Sequence, residues 1–196
     1  MRRFLLAAIV LFTAAPVTAQ STQEFRSTAA GYRLQLPAQW RRLPDEQANV
    51  VRRAAAQLGM TDPIEAVYRV TESPTLLPMV TVATLDLGER MSRQRFREEM
   101  TGADARAGMQ SGADIAATAE RSGRMGVPMW DEENGAVWTR GEMQSGGRSS
   151  AFAWTVAMLH PGGRKAITLT YTGVPGEDEA RIRADLLAIV RSLRVD

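Results

Sequence analysis

Residues Ser150 to His160 constrain the fold more than any other stretch of this chain. Phe152, Trp154, Val156 and Met158 fall on one side of an alternating pattern, and Ala151, Ala153, Ala157 and Leu159 fall on the other. Successive side chains of a strand point to opposite faces, so a strand apolar on both belongs in the middle of a sheet covered above and below. The rest of the chain has to supply its neighbours and both covering layers.

Strand periods of two recur elsewhere. Tyr32, Leu34 and Leu36 alternate with Arg33 and Gln35 until Pro37 ends the run. Ile64, Ala66, Tyr68 and Val70 alternate again, Ser73-Pro74 and Pro78 break the chain, and Met79 to Asp86 follows as the second arm of a long-looped hairpin. Ala136 to Met143 and Lys165 to Thr172 are strand-like, the latter joined to Ser150 to His160 across Pro161-Gly162-Gly163. Ala113 to Ala119 reads as a weak further strand.

Helical periods fill the gaps. Asp45 opens a helix to Leu58, with Val51, Ala55 and Leu58 on one face and Gly59 as its stop. Ser92 caps a second, running through Met100 and past Gly102 to Met109. The last, Glu177 to Leu193, stripes Ile182, Leu186, Ile189 and Leu193, with acidic residues first and Arg191 and Arg194 at its end, as the helix dipole favours. The sum is an α+β domain, an antiparallel sheet of about six or seven strands covered by helices in an α/β/α sandwich.

Met1 to Gln20 has two arginines, an unbroken apolar run from Phe4 to Phe12 and small residues ending at Val17-Thr18-Ala19. That is the pattern of a secretory signal peptide, with residues 1–19 removed and residues 20–196 left as one domain. The run is shorter than the roughly 20 residues a spanning helix needs, and no later stretch qualifies, so no membrane span is expected. The expected address is the periplasm or the exterior. With no cysteine in the chain, neither lipid attachment at the cleavage site nor a disulfide is available.

The chain has 24 Lys+Arg against 22 Asp+Glu, and loss of Arg2 and Arg3 leaves 22 against 22. A nucleic-acid partner, which would want a net-basic domain, is disfavoured. Lys165 is the one lysine, so arginine clusters arise from composition alone.

Gly31-Tyr32-Arg33-Leu34-Gln35-Leu36-Pro37-Ala38-Gln39-Trp40 near the start, and Ala166-Ile167-Thr168-Leu169-Thr170-Tyr171 before the last helix and Ser192-Leu193-Arg194-Val195, resemble the PsbP-like family. This exported α+β group is named for an extrinsic subunit of the photosynthetic oxygen-evolving complex. The resemblance covers about Phe25 to Asp196 and implies the fold. Members with known roles look like accessory or docking subunits, some with metal sites, but no ligand motif matches residue by residue here. No site residue is carried over.

Catalytic chemistry has little to stand on. His160 is the single histidine, and with no cysteine this removes thiol catalysis and multi-histidine zinc sites. An envelope hydrolase would need His160 beside a serine brought near by folding, yet no Gly-x-Ser-x-Gly elbow exists and a hairpin tip would expose the imidazole. Asp131-Glu132-Glu133-Asn134 gathers oxygen donors without the alternating spacing that wraps a cation, and reads as a solvated turn. Glu177-Asp178-Glu179 reads as favourable charge at a helix start. No glycine loop fits a phosphate, so no metal and no cofactor is implied.

Trp130, Trp138 and Trp154, with Met125, Met129, Met143 and Met158, supply large apolar area, either as core or as the lining of a small apolar-ligand carrier. Arg90, Arg93 and Arg97, at i, i+3 and i+7, stripe one helical face against the dipole. Three guanidinium groups beside free helix amides would hold a carboxylate, a phosphate or an acidic surface. The leading expectation is thus a non-enzymatic exported binding or docking domain, its partner an unknown envelope protein or an anionic ligand. The hydrolase and the carrier are the alternatives.

Overall fold

The computed structural model describes residues 21–57, 63–70, 76–115 and 121–196. The signal-like segment, Leu58 and Gly59, the Ser73-Pro74 break and residues 116–119 lie outside them. In chain order the elements are β1 (Thr22–Ser27), β2 (Tyr32–Pro37), β3 (Arg41–Arg42), α1 (Asp45–Gln57), β4 (Ile64–Arg69), β5 (Met79–Asp86), α2 (Arg93–Thr101), α3 (Ala103–Ile115), β6 (Arg121–Met125), β7 (Met129–Asp131), β8 (Ala136–Ser145), β9 (Arg148–Leu159), β10 (Lys165–Gly173), α4 (Glu179–Arg191) and β11 (Arg194–Val195).

Eight strands form one antiparallel sheet in the order β3-β4-β5-β10-β9-β8-β6, with β7 sharing the β6 edge of β8. The doubly apolar strand, β9, lies between β10 and β8, as its pattern demands. Its Phe152, Trp154, Val156 and Met158 enter one core together with Val80, Val82, Ile167, Leu169 and Tyr171. Its Ala157 faces the opposite layer, beside Phe96, Val137 and Ala166.

α1 and α2 cover that opposite face. α1 buries Ala48, Val51 and Ala55, and α2 buries Phe96. The first face is covered by α4, through Ile182, Leu186, Ile189 and Val190, and by a second, three-stranded sheet in the order β1-β2-β11. β2 thus alternates as expected, with Tyr32, Leu34 and Leu36 fully buried, but in a small sheet laid over the large one. β11 closes this small sheet against β2, and the Arg33 guanidinium grips Asp196 at 2.7 Å.

Two expectations change. The second helix does not run on to Met109. It stops at Gly102, whose backbone is extended, and a Cβ there would lie 2.9 Å from the Glu98 carbonyl oxygen. Ala113 to Ile115, read as the start of a weak strand, instead close α3. The Gln110 side chain accepts from the Met125 amide (3.2 Å) and donates to the Gly123 carbonyl (3.3 Å), docking α3 on β6. That tertiary anchoring outweighs the helix cost of Gly108 and Gly112, about 1 kcal/mol each.

Candidate functional site

The acidic turn after β7 connects three layers of the molecule. Asp131 keeps its own turn closed, accepting from the Asn134 backbone amide (3.1 Å) and side-chain amide (2.8 Å). Burial pushes the Asp131 carboxyl up, but the bonds it accepts from Asn134 and Trp138 outweigh this and hold it below the usual carboxylate range. Glu132 reaches α2, where it pairs with Arg97 at 3.3 Å and Arg93 at 3.9 Å, and it accepts the Trp130 indole N–H at 2.6 Å. Glu133 reaches α4, pairing with Arg191 at 2.8 Å, while Asn134 accepts from the same guanidinium. What the sequence presents as a hydrated turn is a clasp between α2 and α4.

That clasp decides what becomes of the arginine stripe. α2 begins at Arg93, so Arg90 lies outside the helix, packed against the β9–β10 turn at Gly163. Gly163 has φ +74°, and a Cβ there would meet the Met91 carbonyl oxygen at 2.8 Å and Arg90 Cγ at 2.9 Å, so only glycine lets the turn dock. Arg93 and Arg97 do share a helical face. They stack over Trp130 at 5.6 and 5.9 Å from its centroid and take Glu132 as counter-ion. The Ser92 hydroxyl accepts from the Arg95 amide, filling the cap where an anion would have bound.

Trp130 is one wall of a groove of about 450 Å³ between β7, β8 and α4, open to solvent. Met129, Trp130 and Asp131 form one side, Trp138 forms the base, and Ala180, Arg183, Ala184 and Leu187 form the other side. These four α4 residues recur at i, i+3, i+4 and i+7, beside the stripe that enters the core. The Arg183 guanidinium lies 5.0 Å from the Trp154 centroid and 5.8 Å from that of Trp138. Among the described residues it makes no hydrogen bond and no ion pair within 4.0 Å.

The carboxylate one turn before Arg183 is already committed. Glu179 is gripped by Arg140 through two 2.9 Å bonds and accepts the Trp154 indole N–H at 2.8 Å. The Arg140 bonds hold the Glu179 carboxyl below its usual range, against a smaller opposing effect of burial. Its neighbours have separate tasks, which a single reading of the acidic run missed. Asp178 caps α4 by accepting from the Ala180 and Arg181 amides, and Glu177 accepts the buried Tyr171 hydroxyl at 2.9 Å. The arrangement offers flat aromatic faces and one stacked cation, with the Trp130 and Trp154 indole donors both occupied.

His160 is half-buried, and the expectation of an exposed ring fails. Its Nδ1 accepts from the Gly162 amide at 3.0 Å, and Nε2 is shielded with no hydrogen-bond partner among the described residues. The ring stands edge-on to Tyr32, 6.4 Å between centroids, because the β9–β10 turn folds back toward the small sheet. The Tyr32 hydroxyl in turn meets Thr84 Oγ1 at 3.2 Å and Glu65 Oε1 at 3.3 Å. Burial drives the Tyr32 pKa well above that of a free phenol. The nearest polar network to His160 is thus that of Tyr32, Thr84 and Glu65, and no serine hydrogen-bonds its ring among the described residues.

No protein-family model matches the chain, and no curated protein matches it in sequence. The fold does have solved counterparts. The solution structure of cyanobacterial PsbP from Synechocystis superposes with a TM-score of 0.61 at 15% identity, covering 95% of this chain and 99% of that one. The crystal structure of the Saccharomyces cerevisiae Ran-binding protein Mog1p aligns at a TM-score of 0.45 and 9% identity, over 90% and 96% of the two chains. The chain therefore has a PsbP-like α+β fold, as the resemblance in its sequence implied. Among the described residues no helix is long and apolar enough to cross a membrane.

Proposed function

We propose that this protein is a non-enzymatic, exported binding domain whose partner docks in the groove between β7, β8 and α4. The observation that carries the reading is the groove itself. A tryptophan-walled depression exposes apolar and aromatic surface of the kind that marks interaction sites, and the Arg183 guanidinium beside it supplies a polar anchor. Both walls are pinned by charge pairs, Trp130 through Glu132, Arg93 and Arg97, and α4 through Glu133 and Arg191. Such pre-organisation lowers the ordering cost of binding.

Arg93 and Arg97 then serve the site at one remove, holding Trp130, while their exposed outer edges and Arg90 extend a basic rim toward an acidic partner surface. The groove is open and carries a cation, which suits docking better than enclosure of a wholly apolar ligand. Export and residence in the periplasm or outside the cell rest on Met1 to Gln20, and N-terminal sequencing of the released protein is expected to begin at Gln20.

The test of docking is capture from an envelope extract with two baits, the wild type and Ala184→Trp. Ala184 is exposed and lines the groove without entering the core, so tryptophan there fills the site and leaves the fold intact. The expected result is a partner retained by the wild type and lost by the variant. Equal capture by both baits would remove the groove from the proposal.

A further inference from the structure

We infer that the groove takes an extended peptide segment that presents a large apolar side chain next to an acidic one. The inference rests on the docking reading above and specifies its partner. Three observations fix the chemistry. First, the Arg183 guanidinium sits over both Trp138 and Trp154, 5.8 and 5.0 Å from their centroids, with the two rings 72° apart, so aromatic surface positions it on two sides. Its outer edge keeps donors for a carboxylate, because Glu179, the acidic residue one turn before it, is taken by Arg140 and Trp154. A guanidinium pre-stacked on aromatic rings pairs with a carboxylate at little further loss of side-chain freedom.

Second, the other acidic groups around the groove are bonded elsewhere, so among the described residues Arg183 has only the through-space attraction of Glu179, itself held by Arg140. Asp131 is held by Asn134 and Trp138, Glu132 by Arg93 and Arg97, and Glu133 by Arg191. Charge complementarity therefore asks for an incoming anion. Third, the groove is too open to enclose a free small molecule, whose sites bury about 70–90% of its surface. Apolar surface also continues past it, since Met129 of its β7 wall is 46% exposed and Val127, just before β7, is 64% exposed. A side chain seated on Trp130, Trp138 and Leu187, with its backbone running over Met129 and Val127, covers both. The carboxylate of an adjacent residue then reaches Arg183.

Phage-displayed random dodecapeptides panned on the purified protein test this directly. Enriched sequences are synthesised with a fluorescein label and titrated by anisotropy against the wild type, Arg183→Gln, Arg183→Lys and Ala184→Trp. Near-ultraviolet circular dichroism confirms that each variant keeps its tertiary packing. The expected result is enrichment of Trp, Phe or Leu next to Asp or Glu. Affinity should fall about tenfold in Arg183→Gln, as loss of a charge-assisted pair costs, and by an intermediate factor in Arg183→Lys, which keeps the charge but not the planar, ring-stacked fork. Raising NaCl from about 50 to about 500 mM should weaken wild-type binding and leave residual Arg183→Gln binding nearly unchanged.

The failures separate. Peptides lost on Ala184→Trp but indifferent to Arg183→Gln and to salt overturn the acidic partner and leave groove docking standing. Peptides bound equally by Ala184→Trp overturn docking in the groove itself. Enrichment of basic or wholly polar sequences, or no enrichment, overturns the inference.

Discussion

The two faces of the large sheet are built differently. One is filled by Phe25, Tyr32, Trp40, Trp138, Phe152, Trp154 and Tyr171 under α4 and the small sheet. The other is split into two minor clusters, Leu43, Ala48, Val51 and Val67 beneath α1, and Phe96, Val137, Ala157 and Ala166 beneath α2. Small and aliphatic side chains with a single phenylalanine make a thin filling there, whereas the first face has a thick, largely aromatic one. Aromatic filling brings polar tips that must be satisfied, so the buried hydrogen-bond networks gather there, on Glu65, Glu177 and Glu179. The groove opens where this thick layer reaches the side of α4.

Truncations measure how unequal the faces are. Trp154→Ala should cost about 3 to 5 kcal/mol in urea unfolding, since it empties a core site and removes the indole bond to Glu179. Phe96→Ala should cost about 3 kcal/mol, and because Phe96 is the residue α2 buries, hydrogen exchange should speed up over α2 first. An equal or larger loss at Phe96 would mean that the thin face carries the fold.

A pH series sharpens the picture of the thick face. Glu179→Gln should lower stability by about 1 kcal/mol at neutral pH, with about a third of each partner exposed and screened. The Glu179 carboxyl is held below its ordinary value, so its contribution is present above the unfolded pKa and disappears as pH falls through the lower, folded one. Wild type and variant should therefore converge in acid. Thermal midpoints measured across that range check the convergence, and a constant gap would show that the bonds matter and the charge does not.

The smallest expected effect has the opposite sign. Burial, partly offset by Arg181, raises the Asp185 carboxyl above its ordinary range, so its ionisation opposes folding. Wild-type stability is then lost as pH rises from the unfolded to the folded pKa. Asp185→Asn should match the wild type below that window and be slightly more stable above it, read as a higher thermal midpoint at neutral pH. A lower midpoint there would make Asp185 an ion-pair partner instead.

Much of this is visible in the chain as a string, because local periodicity follows from backbone geometry alone. The alternation at Ser150 to His160 already demands a central strand, and Ile182, Leu186 and Ile189 demand a covering helix. Even the groove left a trace, since Ala180, Arg183, Ala184 and Leu187 form a second helical stripe beside the core one. The pairing of β2 with β1 and β11 was not visible, because alternation says which side of a strand is buried but not which strand lies beside it. Nor were the partners of Arg93, Arg97 and Arg183. An arginine stripe looks the same in sequence whether or not a glutamate 35 residues away folds over it. Periodicity is set by neighbours along the chain, whereas ion pairing is set by neighbours in space. Only the folded arrangement of β7, α2 and α4 pairs the first two guanidinium groups with Glu132 and leaves the third over two tryptophan rings, without a hydrogen bond among the described residues.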